Sequence, residues 1–334
     1  MKKKLYALSF LLGLIVINSL LSYVFINYIV SDSLLMVSER KFKNYSGEIK
    51  LLMMGDSHIN CGVNPDYIDI KSYNWANPST KYIHQYYKLK YYLDHKLKEK
   101  PKILLINLDV GSLKTRKINR NHYFWVKYLD YFKISKSLPS DERLKFLGNY
   151  IKALYAPYLG EHKLLYQWIK TSRKNYGKYS DKGFYLLAKK VKLSPKQKKI
   201  KNKRLRRALK NREKSLKRAK TKNKKHIQKE AKEYFIKILE LCGKHNIRVM
   251  LVICPMKKDL HDMMTRYRSL TNYYAELNKI IKNYNHVELF DYMDIFFKRP
   301  DLFIDFYHLN DVGAMEFTKA INRDLTKLLA KWQL

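Results

Sequence analysis

Leu51-Leu52-Met53-Met54-Gly55-Asp56-Ser57-His58 is the stretch whose reading decides the fold. Four apolar residues in a row, ended by Gly, Asp and a hydroxyl, are the pattern of a buried parallel strand. Such a strand opens at the carboxyl edge of its sheet, where open α/β proteins hold their ligands. Gly55 permits the sharp exit. Ser57 then stands among backbone N–H groups at that edge and is the candidate nucleophile.

Outward from this stretch, strands and helices alternate. The first strand is read over 49–54. A loop with Asn64-Pro65-Asp66 follows, then a short strand near 73–76 that Asn77-Pro78-Ser79-Thr80 ends. A helix with aromatic and Lys faces covers 82–98 and stops at Lys100-Pro101. Ile103-Leu104-Leu105-Ile106 is a buried strand with another polar end, Asn107-Leu108-Asp109. Much later the alternation resumes, with an amphipathic helix over 230–245 and a strand over 248–253 closed by Pro255. A helix over 271–284, a short strand near 287–290 and a last helix complete it. Asn310 or Asp311 caps that last helix. The pattern predicts an α/β protein built on a doubly wound, flavodoxin-like parallel sheet.

Between the two halves, residues 114–191 lose the alternation. They are rich in Tyr, Trp and Lys and helical in propensity, and read as an insertion. Its clusters Tyr123-Phe124-Trp125 and Tyr155-Ala156-Pro157-Tyr158 can be core aromatics or the lining of a pocket. A strongly basic run over 192–229 follows, with Leu205, Leu209 and Leu216 near helical spacing. It reads as a solvated helix or as an arm for anionic glycan or lipid headgroups. The expected organisation is an anchor over 1–30 and a juxtamembrane connector over 31–47. The α/β domain then occupies 48–113 and 230–334, with a helical insertion and its basic arm over 114–229.

The 68 Lys and Arg outweigh 29 Asp and Glu, a formal charge of +39, which calls for a partner of opposite sign. Lys2, Lys3 and Lys4 precede an apolar run over 5–30, long enough to cross a bilayer. With no small-x-small cleavage pattern after it, the run reads as an uncleaved signal-anchor. The positive-inside rule then puts the three lysines in the cytoplasm and the main domain outside. Under that topology the expected partners are membrane lipid and an anionic cell-envelope glycan, and nucleic acid is disfavoured. Cys61, Cys242 and Cys254 are an odd number with no CxxC pair. They make neither a disulfide framework nor a zinc site. A Cys242–Cys254 bridge and three buried thiols are the options left.

A second chemistry-bearing stretch, Phe303-Ile304-Asp305-Phe306-Tyr307-His308-Leu309-Asn310, precedes the last helix. A carboxylate three residues before an imidazole on a loop can turn toward it. Asp305 can fix the tautomer of His308, and His308 Nε2 can take a proton from Ser57, the logic of nucleophile, base and orienter. In a doubly wound sheet both stretches fall on the same carboxyl edge.

On these residues the chain resembles the SGNH/GDSL hydrolase superfamily. Gly55-Asp56-Ser57 is similar to its first block and Asp305-x-x-His308 to its last. The resemblance implies Ser57 as nucleophile, His308 as base and Asp305 as orienter. It also implies an oxyanion hole made of the nucleophile's N–H, a Gly N–H and an Asn amide. Here Ser79 stands where that Gly would be, keeping a backbone N–H. Asp109 stands where the Asn is expected, and an ionised Asp donates nothing. Either Asn77 or Asn107 substitutes, or the oxyanion hole is reduced. Gly55 and Asp56 shape the turn, and His58 is a substrate contact or neighbour of the triad.

Asp305, His308, Leu309, Asn310 and Gly313 further resemble the closing block of membrane-anchored envelope O-acylation proteins, the alginate O-acetylase and teichoic acid D-alanine transfer types. That similarity covers about 48–112 and 230–330. It implies acyl transfer to or from a glycan hydroxyl, with a multispanning acyltransferase as partner and no cofactor or metal. Two other readings compete. One is a metal-dependent phosphoesterase with Asp56, His58, Asp109 and His308 as ligands. The other is a non-catalytic anchored protein that binds glycan through the basic arm.

Overall fold

The computed structural model describes residues 2–95, 100–108, 113, 122–136, 138, 140–170, 179–186, 203, 205–214, 217, 229–267 and 270–334. Two compact units form. One holds residues 1–43 and 118–178, the other 44–117 and 179–334.

The second unit carries the sheet. Strands β1 (Leu51–Met54), β2 (Ser72–Asn74), β3 (Ile103–Asn107), β4 (Arg248–Ile253) and β5 (Val287–Asp291) lie in the order 2-1-3-4-5. Every neighbouring pair is parallel. This is the flavodoxin-like doubly wound order, with the reversal of direction between β1 and β3. β1 is central, and all four of its side chains are buried. That burial on both faces explains an apolar run without alternation.

On one face, Leu51, Met53, Leu105, Met250 and Val252 pack with the last helix, Asp311–Trp332, through its Phe317, Ile321, Leu325, Leu328 and Trp332. Those helical positions recur at steps of three and four, one stripe of an α-helix. Burying each such side chain contributes about 1.5–3 kcal/mol, and truncating Ile321 to Ala removes about 2–5 kcal/mol. The helix Tyr82–His95 packs against Lys229–Lys244, with Tyr82 on Phe235. A helix over Lys258–Tyr267, which the periodicity did not single out, precedes the expected one, here Leu270–Ile281. Residues 179–186, grouped by composition with the insertion, belong to this unit. Tyr185 N–H donates to the Asn60 carbonyl, and Asn74 N–H to that of Lys182.

The first unit is helical. It begins with Lys2–Val24, which has no buried residue, and continues as a π-helical turn over Phe25–Val30. The whole of Lys2–Val30 is long and apolar enough to cross a membrane. The stretch read as a connector contains a helix, Leu34–Asn44. Its start follows from Ser33, whose hydroxyl accepts from Met36 N–H. Among the described residues five more helices are His122–Trp125, Tyr131–Lys136, Ser140–Tyr155, Pro157–Gly160 and His162–Lys170. Of the aromatic clusters, Phe124 and Trp125 are core residues that meet each other edge-to-face and Tyr128 at a tilt. Tyr155 lies on the surface and Tyr158 donates to Asn18. The basic run 192–229 falls mostly outside the described residues.

Candidate active site

Gly55 leaves β1 with φ of +152°, and a Cβ there would run into Asn107 Oδ1 and the Ile59 side chain. Only glycine makes this exit without strain. Asp56 follows as the N-cap of the short helix Ser57–Asn60, its carboxylate accepting from His58 N–H at 3.0 Å. Ser57 is therefore the first helical residue, held at the carboxyl end of β1 beside the end of β3. Asn107 completes the bracing there. Its Oδ1 accepts from Asp56 N–H at 3.2 Å and its Nδ2 donates to the Asp56 carboxylate at 3.1 Å.

The second stretch forms a small hairpin closed by an antiparallel bridge between Phe303 and Leu309. Inside it Asp305 Oδ1 accepts from the N–H groups of Tyr307 and His308, both at 2.9 Å. Its other oxygen lies 2.8 Å from His308 Nδ1. An ionised carboxylate accepts only, so Nδ1 carries the hydrogen and Nε2 presents its lone pair to Ser57 Oγ, 2.9 Å away. Burial raises the Asp305 pKa, but the bonds from the His308 ring and the two backbone N–H groups outweigh that and hold it down at about 2. Beyond the loop, Asn310 caps the last helix through Gly313 N–H at 2.9 Å and ties Nδ2 to the Asp301 carbonyl at 2.7 Å. Leu309 is buried in the core. Each residue of the closing block thus has a distinct mechanical task.

The structure brings Ser57, His308 and Asp305 into one hydrogen-bonded line. His58 stands beside it, its ring 5.4 Å from that of His308 and its Nδ1 3.6 Å from the Asp56 carboxylate. Both ring nitrogens of His308 are engaged within the line, Nδ1 on Asp305 and Nε2 on Ser57. Asn107, offered as an oxyanion donor, has both ends of its amide on Asp56. Asp109 lies outside the described residues. Ser79 is exposed and adopts a left-handed backbone, φ of +61°, a conformation natural to glycine. Asn77 is buried, its N–H on the Gly55 carbonyl at 3.1 Å.

Lys88, Asn74 and Asn60 were not singled out by the sequence. Lys88 is 1% exposed. Its Nζ donates to Asn77 Oδ1 and, at 3.1 Å, to the Trp75 carbonyl, and it lies 3.9 Å over the Trp75 ring. Since an ammonium only donates, Asn77 must turn its oxygen toward Lys88 and its NH2 elsewhere. Asn74 ties its Nδ2 to the carbonyls of Ile59 and Val63 and its Oδ1 to Ala76 N–H. Asn60 donates to the Ala76 carbonyl. These bonds strap the loop after β2 to the helix that carries Ser57. One signal was available: Lys88 shares a stripe with Gln85, Leu89 and Tyr92, positions spaced to face the core. All three cysteines are buried thiols.

No family model and no curated protein matches the chain. Among solved structures it is similar to one from Streptococcus pneumonia described as a candidate platelet activating factor. The two share 10% identity at a TM-score of 0.42, over 92% of this chain and 99% of that one. A likeness at that score carries neither fold nor activity across. What remains is the class the coordinates define by themselves: a parallel α/β protein with a serine, an imidazole and a carboxylate aligned at the carboxyl edge of its sheet.

Proposed function

We propose that this chain is an SGNH-type serine esterase or O-acyltransferase working on acyl groups of cell-envelope glycans. The observation that carries the reading is the line Ser57 Oγ to His308 Nε2 at 2.9 Å and His308 Nδ1 to Asp305 at 2.8 Å. His308 takes the hydroxyl proton as Ser57 Oγ attacks the acyl carbonyl, and ionised Asp305 stabilises the imidazolium that forms. The tetrahedral intermediate collapses, the leaving alkoxide takes the proton, and the acyl group stays on Ser57. Water or a sugar hydroxyl then gives its proton to His308 and attacks the ester carbonyl, and as the bond to Ser57 Oγ breaks His308 returns that proton to it.

Developing charge on the carbonyl oxygen needs donors. The candidates are the N–H groups of Ser57 and Ser79 and the amide of Asn77. Lys88 supports the last by fixing which end of the amide faces away from it. The apolar N-terminal helix anchors the chain, with Lys2, Lys3 and Lys4 inside and the catalytic unit outside by the positive-inside rule. The glycan acceptor, the basic arm as its binding element and a multispanning acyltransferase partner belong to the same proposal and rest on the sequence resemblance and the charge.

The test incubates the full chain in detergent micelles with a fluorophosphonate, then with p-nitrophenyl acetate with and without an oligosaccharide acceptor. Wild type is expected to be labelled at Ser57 and to release acetate or acetylate the sugar. Ser57→Ala is expected to do neither. Equal acetate release by both proteins would overturn the catalytic reading, and glycan binding unaffected in Ser57→Ala would then favour a purely accessory role.

A further inference from the structure

We propose that the helical unit does not rest above the bilayer: the corner joining Ser140–Tyr155 to Pro157–Gly160 enters the lipid beside the N-terminal span. The inference rests on that span crossing a membrane and not on the catalytic line. Within Lys2–Val24 no side chain is buried, and Asn18 is a polar residue inside an apolar run. Its Nδ2 donates to the Tyr155 carbonyl at 2.8 Å and its Oδ1 accepts from the Tyr158 hydroxyl at 2.7 Å. Ser22, one turn further on, donates to the same carbonyl at 3.3 Å. Both ends of a membrane-depth amide are thereby satisfied, as hydrocarbon requires.

The depth follows from helix geometry. About 20 residues cross the hydrocarbon. If the lysines at 2–4 are left outside, the shallowest window that holds Asn18 is 5–24. At ~1.5 Å per residue, Asn18 then lies roughly 9 Å inside the nearer boundary, and deeper in any later window. Whatever bonds to Asn18 side by side lies at that depth too. The corner is built for it. Pro157 brings no N–H that would need a partner. The Tyr155 carbonyl, orphaned at a helix end, is taken by Asn18 and Ser22, and those of Lys152 and Ala156 by the N–H groups of Ala156 and Leu159.

Apart from Lys152, its large outward residues are apolar: Ile151 is 56% exposed, Leu154 43%, Tyr155 68% and Leu159 58%. The one acid of the corner, Glu161, is turned inward. Lys152 has the long stem that lets an ammonium snorkel toward headgroups. One turn of chain further along, Tyr158, Leu164 and Trp168 pack on Phe25, Ile29 and Val30, so the unit follows the span continuously. The occupant we assign to this face is acyl chain of the outer leaflet. A protein partner on the same face is the competing outcome.

The experiment uses the full chain with Leu159→Cys carrying an environment-sensitive dye, reconstituted into phosphatidylcholine and phosphatidylglycerol vesicles. Ile151→Cys repeats it, so a local folding failure at one site does not decide the result. Leu12→Cys in the span is the reference. The native thiols are buried and do not compete for label, burial holding Cys61 up at about 12. Labels at 159 and 151 are expected to be quenched by acyl-chain nitroxides within about twofold of the label at 12, and by iodide several-fold less than free dye. Iodide quenching equal to free dye at both sites, with 12 still in lipid, would overturn the proposal. So would shielding from both quenchers, which indicates protein cover. A label at 12 that iodide reaches would instead remove the span.

Discussion

Asparagine at position 305 keeps the shape of the carboxylate and reverses what it tells the imidazole. Asp305 Oδ1 holds two backbone N–H groups at 2.9 Å, and Oδ2 holds His308 Nδ1 at 2.8 Å. In Asp305→Asn the two N–H groups still need an acceptor, so the amide oxygen stays with them and the NH2 faces His308. The ring must then offer its Nδ1 lone pair and carry its hydrogen on Nε2, pointed at Ser57, where it cannot accept the serine proton. In serine triads generally this inversion costs about four decades of turnover, ~5.5 kcal/mol of transition-state stabilisation. The assay is kcat/KM for p-nitrophenyl acetate by the full chain near neutral pH, with Tm measured on the same sample. A loss between about 10³ and 10⁴ is expected in protein that still folds, because the three hydrogen-bond positions remain filled, with a Tm lowered only by what the ionised carboxylate contributed. A loss under about tenfold would refute the reasoning, since the carboxylate would then not be setting the tautomer of a working base. The rate profile adds a check. Because Asp305 titrates at about 2, any acid limb seen above about pH 4 belongs to another group.

The same carboxylate links folding to acidity. Its folded pKa lies below the ordinary carboxylate value of 3.8, so its contribution to stability is present above that value and is lost as pH falls toward about 2. Urea midpoints of wild type and Asp305→Asn should therefore differ at pH 5 and converge near pH 2. Gly55→Ala should lower stability by at least ~2 kcal/mol, from a positive φ and the collision with Asn107 and Ile59, read as a shift of the urea midpoint at unchanged slope. Asn310→Ala should cost about 1–2 kcal/mol as a lost N-cap. Because it also frees the hairpin from Asp301, esterase turnover should fall more than KM changes.

The order of the sheet was legible because its strands are buried on both faces and therefore spell continuous apolar runs, Leu51 to Met54 and Val249 to Ile253. The line of three side chains was legible because its members end up at one edge whichever helices intervene. Two kinds of feature were not. The helix over Leu34–Asn44 carries basic and apolar residues without a clean stripe, and its start depends on the Ser33 cap, a local bond that composition conceals. Lys88 reads as a solvent residue by type. Its burial appears only when the stripe of its helix is aligned with Gln85 and Tyr92, and its partners, Asn77 and Trp75, lie 11 and 13 residues away on another loop. Tertiary contacts that join loops through side-chain amides leave no periodic trace in the chain.

That amide framework bears on the departure at position 79. A left-handed backbone at a non-glycine residue costs about 1–2 kcal/mol and persists only where its surroundings over-determine it. Here they do. Thr80 binds the Asn77 carbonyl through both its N–H, at 3.3 Å, and its hydroxyl, at 2.6 Å. Asn77 N–H is fixed on the Gly55 carbonyl, and Lys88 clamps the Asn77 side chain and the Trp75 carbonyl from beneath. The loop is therefore held from both sides of Ser79 by bonds that need no glycine at position 79. Removing the charge of Lys88 while keeping its length, as in Lys88→Met, must disturb the loop in two measurable ways. The Asn77 amide loses the donor that orients it, and the strained backbone at 79 loses one of its restraints. A variant that stayed well folded yet lost turnover, and that regained part of it when Ser79→Gly relieved the strain, would tie the buried ammonium to the geometry of the donors around Ser57.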